Sequence, residues 1–197
     1  YGRKDKKMPP KARITKDMVA AAAFEAAREA GWEQINARTV SQRLNCSTQP
    51  VMYHFATIEE LKKAAYRRTN EYHTEYLMSV PETREDVMLG IGLNYIRFAV
   101  EEPNLFRFLF QSGFAAENSV LEMLDSEELT PVISAMREEL NMNMEQTREV
   151  FTTLALFVHG YASLLANNSL AYDENLTAAQ LKRVCTGAVL AVQEETM

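Results

Sequence analysis

Cysteine is scarce in this chain of 197 residues, which contains only Cys46 and Cys185. The two lie far apart and match no metal-ligand spacing, so a disulfide framework and a cysteine-based zinc site are excluded. A reducing compartment such as the cytosol fits this cysteine usage.

Helix-breaking residues and long apolar runs are few as well. The chain has 7 Gly and 6 Pro, so long helices are easy to build and turns are not numerous. We find no apolar run of transmembrane length and no signal-type apolar core behind the basic N-terminus. Together with 47% hydrophobic and 24% charged residues, this predicts a soluble, cytoplasmic, globular protein without a membrane partner.

Positive charge is in deficit overall, but it is concentrated at one end. The net charge is -6, yet the chain up to Arg68 contains 14 Lys and Arg against 7 Asp and Glu. The remainder contains 7 basic and 20 acidic residues. A basic front can approach phosphates, whereas the acidic body cannot. A soluble protein with a merely basic tail remains the alternative on charge alone.

Helical periodicity and capping residues recur along the chain and predict an all-α fold without strands. A helix capped by Thr15 ends at Gly31, and a capping-box pattern at Thr39 opens a short second helix. A third, capped by Ser47, covers residues 48–54, and a long fourth covers 57–80. The predicted later helices cover residues 84–101, one from Pro103, one from Pro131 capped by Thr130, 144–167 capped by Asn143, and one opened by Thr177 and Gln180.

Two short helices joined by the tight turn Asn45-Cys46-Ser47 have helix-turn-helix spacing. We find no phosphate-binding loop, no zinc-protease motif and no nucleophile elbow, and Gly90-Ile-Gly92 lies inside a helical pattern. Because these motifs are missing from the sequence, we predict that the chain is not an enzyme and has no catalytic residue, no metal and no cofactor. A helical adaptor or structural dimer without sequence-specific DNA binding is the alternative.

The stretch 14–65 resembles the TetR family of repressors. The resemblance rests on the alanine-rich first helix ending at Gly31-Trp32, on Thr39-Val40, on Tyr53-His54-Phe55 and on Glu59-Glu60-Leu61. Later segments resemble a subgroup whose sensor domain carries a Trp-His-Gly motif. These are Tyr95-Ile96-Arg97-Phe98-Ala99, residues 102–106, and His159-Gly160, although the usual Trp before His159 is missing.

The resemblance implies an N-terminal DNA-binding domain and a C-terminal domain that senses a small molecule and dimerises. We assign residues 1–13 to a flexible basic tail, 14–60 to the helix-turn-helix domain, and 61–197 to the helical sensing and dimerisation domain. The partners expected are a palindromic double-stranded operator, an unknown small-molecule effector and a second copy of the chain. Repression is the family expectation.

The third helix is the expected reader, because N-terminal residues of such a helix reach base edges in the major groove. Gln49 can pair with adenine, the Pro50 ring can contact a thymine methyl, and the resemblance implies phosphate contacts for Tyr53 and His54. Met52 and Phe55 are expected in the core. The predicted DNA-binding set is Thr39, Ser47, Thr48, Gln49, Pro50, Tyr53, His54 and Lys62.

Aromatic residues of the C-terminal part are candidates for an apolar pocket, with Arg97 and His159 as polar groups that orient a ligand. The predicted pocket set is Tyr95, Phe98, Phe106, Phe110, Phe151 and His159. Aromatic residues at helical spacing are also typical of a core.

The last two long helices carry apolar stripes with small residues between them, which favours a four-helix dimer bundle. The predicted interface set is Leu154, Val158, Tyr161, Leu165, Leu181, Val184 and Ala188. An internal core stripe is the alternative.

Overall fold

The computed structural model describes residues 14–80, 87–114 and 129–194, and these residues form helices joined by short connections. The predicted tail 1–13 and the predicted helix start at residue 84 lie outside the described residues. The helices are α1 (Lys16–Ala30), α2 (Ala37–Arg43), α3 (Thr48–His54), α4 (Ile58–Met78), α5 (Val87–Glu101), α6 (Pro103–Phe110), α7 (Thr130–Leu140), α8 (Met144–Ala166) and α9 (Glu174–Glu194), with a short 3-10 helix at Trp32–Gln34. The all-α prediction is confirmed.

The first helix begins and ends where the sequence indicates. Thr15 Oγ1 accepts a hydrogen bond from the Met18 amide at 3.2 Å. Gly31 has φ +92° and donates its amide to the Ala27 carbonyl at 2.8 Å, a backbone conformation that L side chains rarely adopt. Both ends of α1 are therefore set by local chemistry.

The turn of the helix-turn-helix contains one left-handed residue, Asn45, with φ +49°. Asparagine tolerates this conformation better than most side chains, so it takes the place that a glycine would otherwise occupy. The Cys46 amide donates to the Ser41 carbonyl at 3.0 Å and closes the turn.

Three predicted helix starts are wrong, those of α2, α7 and α9. The second helix begins at Ala37. Its N-cap residue is Asn36, whose Oδ1 accepts a hydrogen bond from the Thr39 amide at 2.9 Å, so Thr39 lies in the first turn and is not the cap. The helix predicted from Pro131 begins at Thr130 itself.

At the start of α9, Asp173 Oδ1 accepts from the Leu176 amide at 2.9 Å, which places Thr177 inside the helix. An Asn or Asp a few residues upstream thus competes successfully with a threonine in two of the three cases.

The cap prediction for α8 is confirmed. Asn143 Oδ1 accepts from the Gln146 amide and Gln146 Oε1 accepts from the Asn143 amide, both at 3.0 Å, which makes a reciprocal capping box. Thr57 Oγ1 likewise accepts from the Glu60 amide at 3.1 Å at the start of α4.

A continuous core joins the N-terminal helices to the rest of the chain. Val19, Val40 and Leu61 belong to the same buried cluster as Phe98 of α5 and Phe108 of α6. The α4 helix packs on both α1 and α5. The predicted domain boundary at residue 60 therefore crosses a shared core.

The C-terminal body is built on α8, which packs between α5 and α9. A Cβ at Gly92 would lie 2.8 Å from Leu181 Cδ2, so this glycine permits the close approach of α5 and α9. A second, smaller cluster around Met136, Val150 and Val192 joins α7 to the far ends of α8 and α9.

By length and composition alone, α8 is apolar enough to cross a membrane, with a mean hydropathy of 1.3. This differs from the prediction that no run reaches that length. Val158, Ala162 and Leu165 are buried in the chain's own core, so part of the apolar surface is used there. The opposite face of α8 remains exposed.

Candidate DNA-reading surface and aromatic sensor cluster

The α3 helix presents one face outward and holds the other in the core. Thr48, Gln49 and Tyr53 are exposed, with Tyr53 79% accessible. Val51 and Phe55 are buried beneath them. The buried face thus fixes α3 in the core, and the outward side chains are accessible to another molecule.

Met52 lies on this outward face and is 38% exposed, so its prediction as a core residue is wrong. Helical spacing explains the placement, since positions 48, 49, 52 and 53 fall on one side of a helix. Pro50 is half-buried at the third position of α3. Ser47 is the N-cap residue, but its side chain makes no capping hydrogen bond and is exposed.

His54 is tied to the start of the chain's first helix. Its Nε2 lies 2.9 Å from the Ile14 carbonyl oxygen, so this nitrogen carries the proton and donates. The Tyr53 and His54 rings meet edge to face at 5.2 Å. His54 therefore joins α3 to the segment before α1, in addition to any phosphate contact.

Two lysines near α3 lie over aromatic rings. Lys62 Nζ is 4.8 Å from the centre of the Trp32 ring, and Lys16 Nζ is 5.2 Å from that of Phe55. Because Phe55 is the C-cap residue of α3, its cation–π contact holds the Lys16 ammonium group at the end of that helix. Thr39 is half-buried in the first turn of α2. Arg38, beside it, is exposed, and the sequence reasoning did not consider it.

Five of the six predicted pocket residues come together in one aromatic cluster. Tyr95 hydroxyl and His159 Nδ1 are 2.9 Å apart, and the ring of Phe110 lies 5.4 Å from that of His159 and 5.7 Å from that of Tyr95. Phe106 contacts the rings of Tyr95, Phe110 and His159. We call Tyr95, Phe98, Phe106, Phe110 and His159, with His73 described next, the aromatic cluster.

His73 of α4 is the member that sequence reasoning missed. Its ring lies 4.8 Å from Phe98, 5.4 Å from Tyr95 and 5.4 Å from Phe110. It is 4% exposed, and its Nε2 has no hydrogen-bond partner among the described residues. The signal was a histidine at i+4 spacing from the buried positions 61, 65 and 69.

Burial controls the ionisation of the polar groups in the aromatic cluster. It lowers the pKa of His73 to about 4 and also lowers the pKa of His159. It raises the pKa of Tyr95 well above its usual value. All three groups are therefore uncharged at neutral pH.

Two further predicted sensor residues lie elsewhere. Phe151 packs in the cluster of Met136 and Val150, at the other end of α8. Arg97 donates to Glu174 Oε1 at 2.7 Å and so links α5 to α9. A shallow cavity of about 180 Å³ between α5, α6 and the α8–α9 connection contains none of the predicted pocket residues; it is lined by Ala99, Val100, Pro103, Leu165, Asn168, Leu170 and Tyr172.

The predicted interface residues face mainly inward. Val158, Leu165 and Leu181 are buried in the chain's own core, and Leu154 and Tyr161 pack against that core. Val184 and Ala188 are half-buried. The exposed apolar residues of the two helices are different ones; on α8 and α9 they include Leu156, Leu164, Leu176 and Leu190.

The α6 helix connects the N-terminal helices to the aromatic cluster. On one side, the ring of Phe108 stacks on Trp32 at 6.2 Å. On the other side, Phe106 and Phe110 contact His159. At its start, Arg28 of α1 pairs with Glu102, and Asn104 Nδ2 donates to the Arg28 carbonyl at 2.9 Å.

Comparison with known proteins agrees with this architecture. Residues 88–186 match the family model described as the tetracyclin repressor-like C-terminal domain. The chain is 21% identical over 172 residues to an uncharacterized HTH-type transcriptional regulator, YobS, of Bacillus subtilis (strain 168), covering 86% of this chain and 88% of that protein. A crystal structure of a transcriptional regulator from Rhodococcus sp. Rha1 superposes with a TM-score of 0.65 at 18% identity, covering 90% of this chain and 97% of that one. The chain is a member of the TetR family of transcriptional regulators.

Proposed function

We propose that this regulator is a homodimer that binds a palindromic DNA site through α3 and represses transcription until a small-molecule effector releases it. The observation that carries the proposal is the outward face of α3, where Thr48, Gln49 and Tyr53 are exposed above a buried base. A cytoplasmic location is part of the same proposal.

The exposed side chains of α3 have the chemistry that base reading needs. Gln49 carries an amide that can accept and donate at once, as adenine requires, and Thr48 can bond a base or a phosphate. Tyr53 stands one turn further on, where its hydroxyl can reach a phosphate and set the register. Lys62, near the start of the α4 helix that follows α3 in the chain, adds a positive charge for a phosphate.

The dimer surface that we propose is the exposed stripe of α8 and α9. On α8, Leu156, Gly160 and Leu164 follow each other at i+4 spacing and are exposed. On α9, Gly187 and Leu190 are exposed in the same way. A Cβ on either glycine would meet nothing within 4 Å, so there is room for a second copy to approach closely.

The route of regulation that we propose runs through α6. A ligand that enters the aromatic cluster displaces Phe106 or Phe110, both on α6. Glu102, directly before this helix, pairs with Arg28 of α1, and Phe108 of the helix stacks on Trp32 of the 3-10 helix. A shift of α6 would therefore change the spacing of the two α3 helices in the dimer. The effector releases the DNA if the conformation that it favours has the lower DNA affinity.

Selection of binding sites from a random duplex library at fixed salt tests the proposal. We expect the native chain to enrich a palindrome and the Gln49→Ala, Tyr53→Ala variant to enrich none. Gln193→Ala, at an exposed position of α9, is the matched control and should recover the native site. No enrichment, or equal enrichment by the α3 variant, would contradict DNA reading by α3 and favour an adaptor.

A further inference from the structure

His73 occupies a position where an apolar side chain would destabilise the folded protein less. It continues the buried stripe of Leu61, Ala65 and Thr69 on α4, and Thr69 satisfies its own hydroxyl by donating to the Ala65 carbonyl at 2.9 Å. Among the residues that the structure describes, His73 Nε2 has no such partner, and aromatic rings enclose it. A buried nitrogen without a partner destabilises the free protein, and a ligand that bonded it would remove that cost.

The surroundings of His73 define the shape of that ligand. Three rings meet the His73 ring edge to face, and Phe110 touches both His73 and His159 at 5.4 Å. Phe110 is the last residue of α6 and is half-buried, whereas Phe98 and Phe106 are completely buried. The Phe110 ring is therefore the one that can turn away with the least loss of packing, and the space that it leaves is the size of one ring.

The charge state of the aromatic cluster defines the polarity of the ligand. Burial is the cause of the shifted pKa of His73, of Tyr95 and of His159, and all three are uncharged. A charged ligand would lose its hydration there without gaining a counter-charge from these groups. A hydroxyl group can donate or accept, so it matches either tautomer of His73.

We propose that the effector is an uncharged, single-ring aromatic alcohol whose hydroxyl binds His73 Nε2 and whose ring takes the place of the Phe110 ring beside Tyr95. The proposal rests on the proposed function, since it names the effector class of the same sensor. The hydrogen-bonded pair of Tyr95 and His159 would then lie beside the ligand and provide the polar side of its site.

Calorimetric titration of the native protein with three matched probes tests this class. The probes are 4-methylphenol, toluene, which lacks the hydroxyl, and 4-methylbenzoate, which is charged. We expect 4-methylphenol to bind at least about 10-fold more tightly than either of the others, the ratio that one buried hydrogen bond provides. Equal binding of toluene or 4-methylbenzoate, or no binding of 4-methylphenol, would overturn the proposal.

Variants locate the hydrogen bond. His73→Leu should weaken 4-methylphenol binding about 10-fold and leave toluene binding unchanged, because only the nitrogen is lost. Thr69→Val, one turn earlier on the same buried stripe, should bind 4-methylphenol as the native protein does. Unchanged 4-methylphenol binding by His73→Leu would overturn the proposal, and the native probe series decides the ligand class if that variant does not fold.

Binding to the selected duplex without any probe separates this inference from the proposed function. Native protein and His73→Leu should bind the duplex equally, since His73 lies roughly four turns, about 22 Å, along α4 from Ile58, the end of the helix that follows α3. Failure of the native protein to bind any duplex would contradict the proposed function alone, because the probe titrations do not depend on DNA.

Discussion

Arg28 Nε lies 2.9 Å from both carboxylate oxygens of Glu102, so the last turn of α1 is bonded to the residue that precedes α6. Glu102 is buried, and the Tyr72 hydroxyl also donates to it at 3.2 Å. The bond to Glu102 raises the pKa of Arg28 above its usual value. This pair is therefore a direct polar link between the DNA-reading helices and the helix that contacts the aromatic cluster.

Loss of Arg28 should destabilise the protein more than loss of an exposed pair. Arg28→Met leaves the buried Glu102 carboxylate without its cation, and we expect the free energy of unfolding to fall by about 1–3 kcal/mol. Arg43→Met is the control, since its partner Glu29 is largely exposed and the loss should stay below about 1 kcal/mol. Urea unfolding at neutral pH measures both, and equal losses would contradict a structural role for the Arg28 link.

The contact of His54 with Ile14 predicts a specific salt dependence. His54→Ala should weaken binding to the selected duplex by a similar factor at every salt concentration, because it removes an internal bond that positions α3. Loss of a phosphate contact would instead reduce the slope of log affinity against log salt by about 1. Fluorescence anisotropy titrations over a range of salt distinguish the two, and a reduced slope would assign His54 to phosphate binding.

The exposed stripe of α8 predicts how the dimer can be disrupted. The double substitution Leu156→Glu, Leu164→Glu places two charges on this stripe, at positions where the native leucines are 53% and 50% exposed in the single chain. We expect the native chain to sediment at twice 22.4 kDa and the variant at 22.4 kDa, with dimerisation at least about 100-fold weaker. Met78→Glu, at an equally exposed residue of α4, should stay dimeric; a dimeric stripe variant would exclude this face.

His73 predicts a dependence of stability on pH. Its pKa falls from 6.5 in the unfolded chain to about 4 in the folded one, so the unfolded state binds the additional proton between these values. Stability is complete above pH 6.5 and decreases as the pH falls towards 4, by on the order of 3 kcal/mol. His73→Leu should lose this part of the pH dependence in urea unfolding at pH 7, 6, 5 and 4. An identical profile for both proteins would show that His73 is not the group responsible.

The local chemistry of the sequence was sufficient for most of the helices and for the candidate DNA-reading face. The ends of α1 and the start of α8 follow from capping residues within a few positions, and helical spacing alone places Gln49 and Tyr53 together. The wrong start of α2 is also a local matter, because Asn36 and Thr39 are both possible N-cap residues and only the structure shows that Asn36 caps the helix.

Only the tertiary structure decided which apolar side chains meet. The sequence groups Phe151 with Phe106, but the two lie in different clusters because α8 is long and its ends pack against different partners. It also places Val158, Leu165 and Leu181 on a surface, whereas the packing of α5 against α8 and α9 buries them. The spacing of His73 on α4 indicates burial, but only the packing of α4 with α5 and α6 shows that three rings surround it. The physical reason is range: caps and periodicity act over one or two turns, whereas burial depends on helices that are distant in sequence.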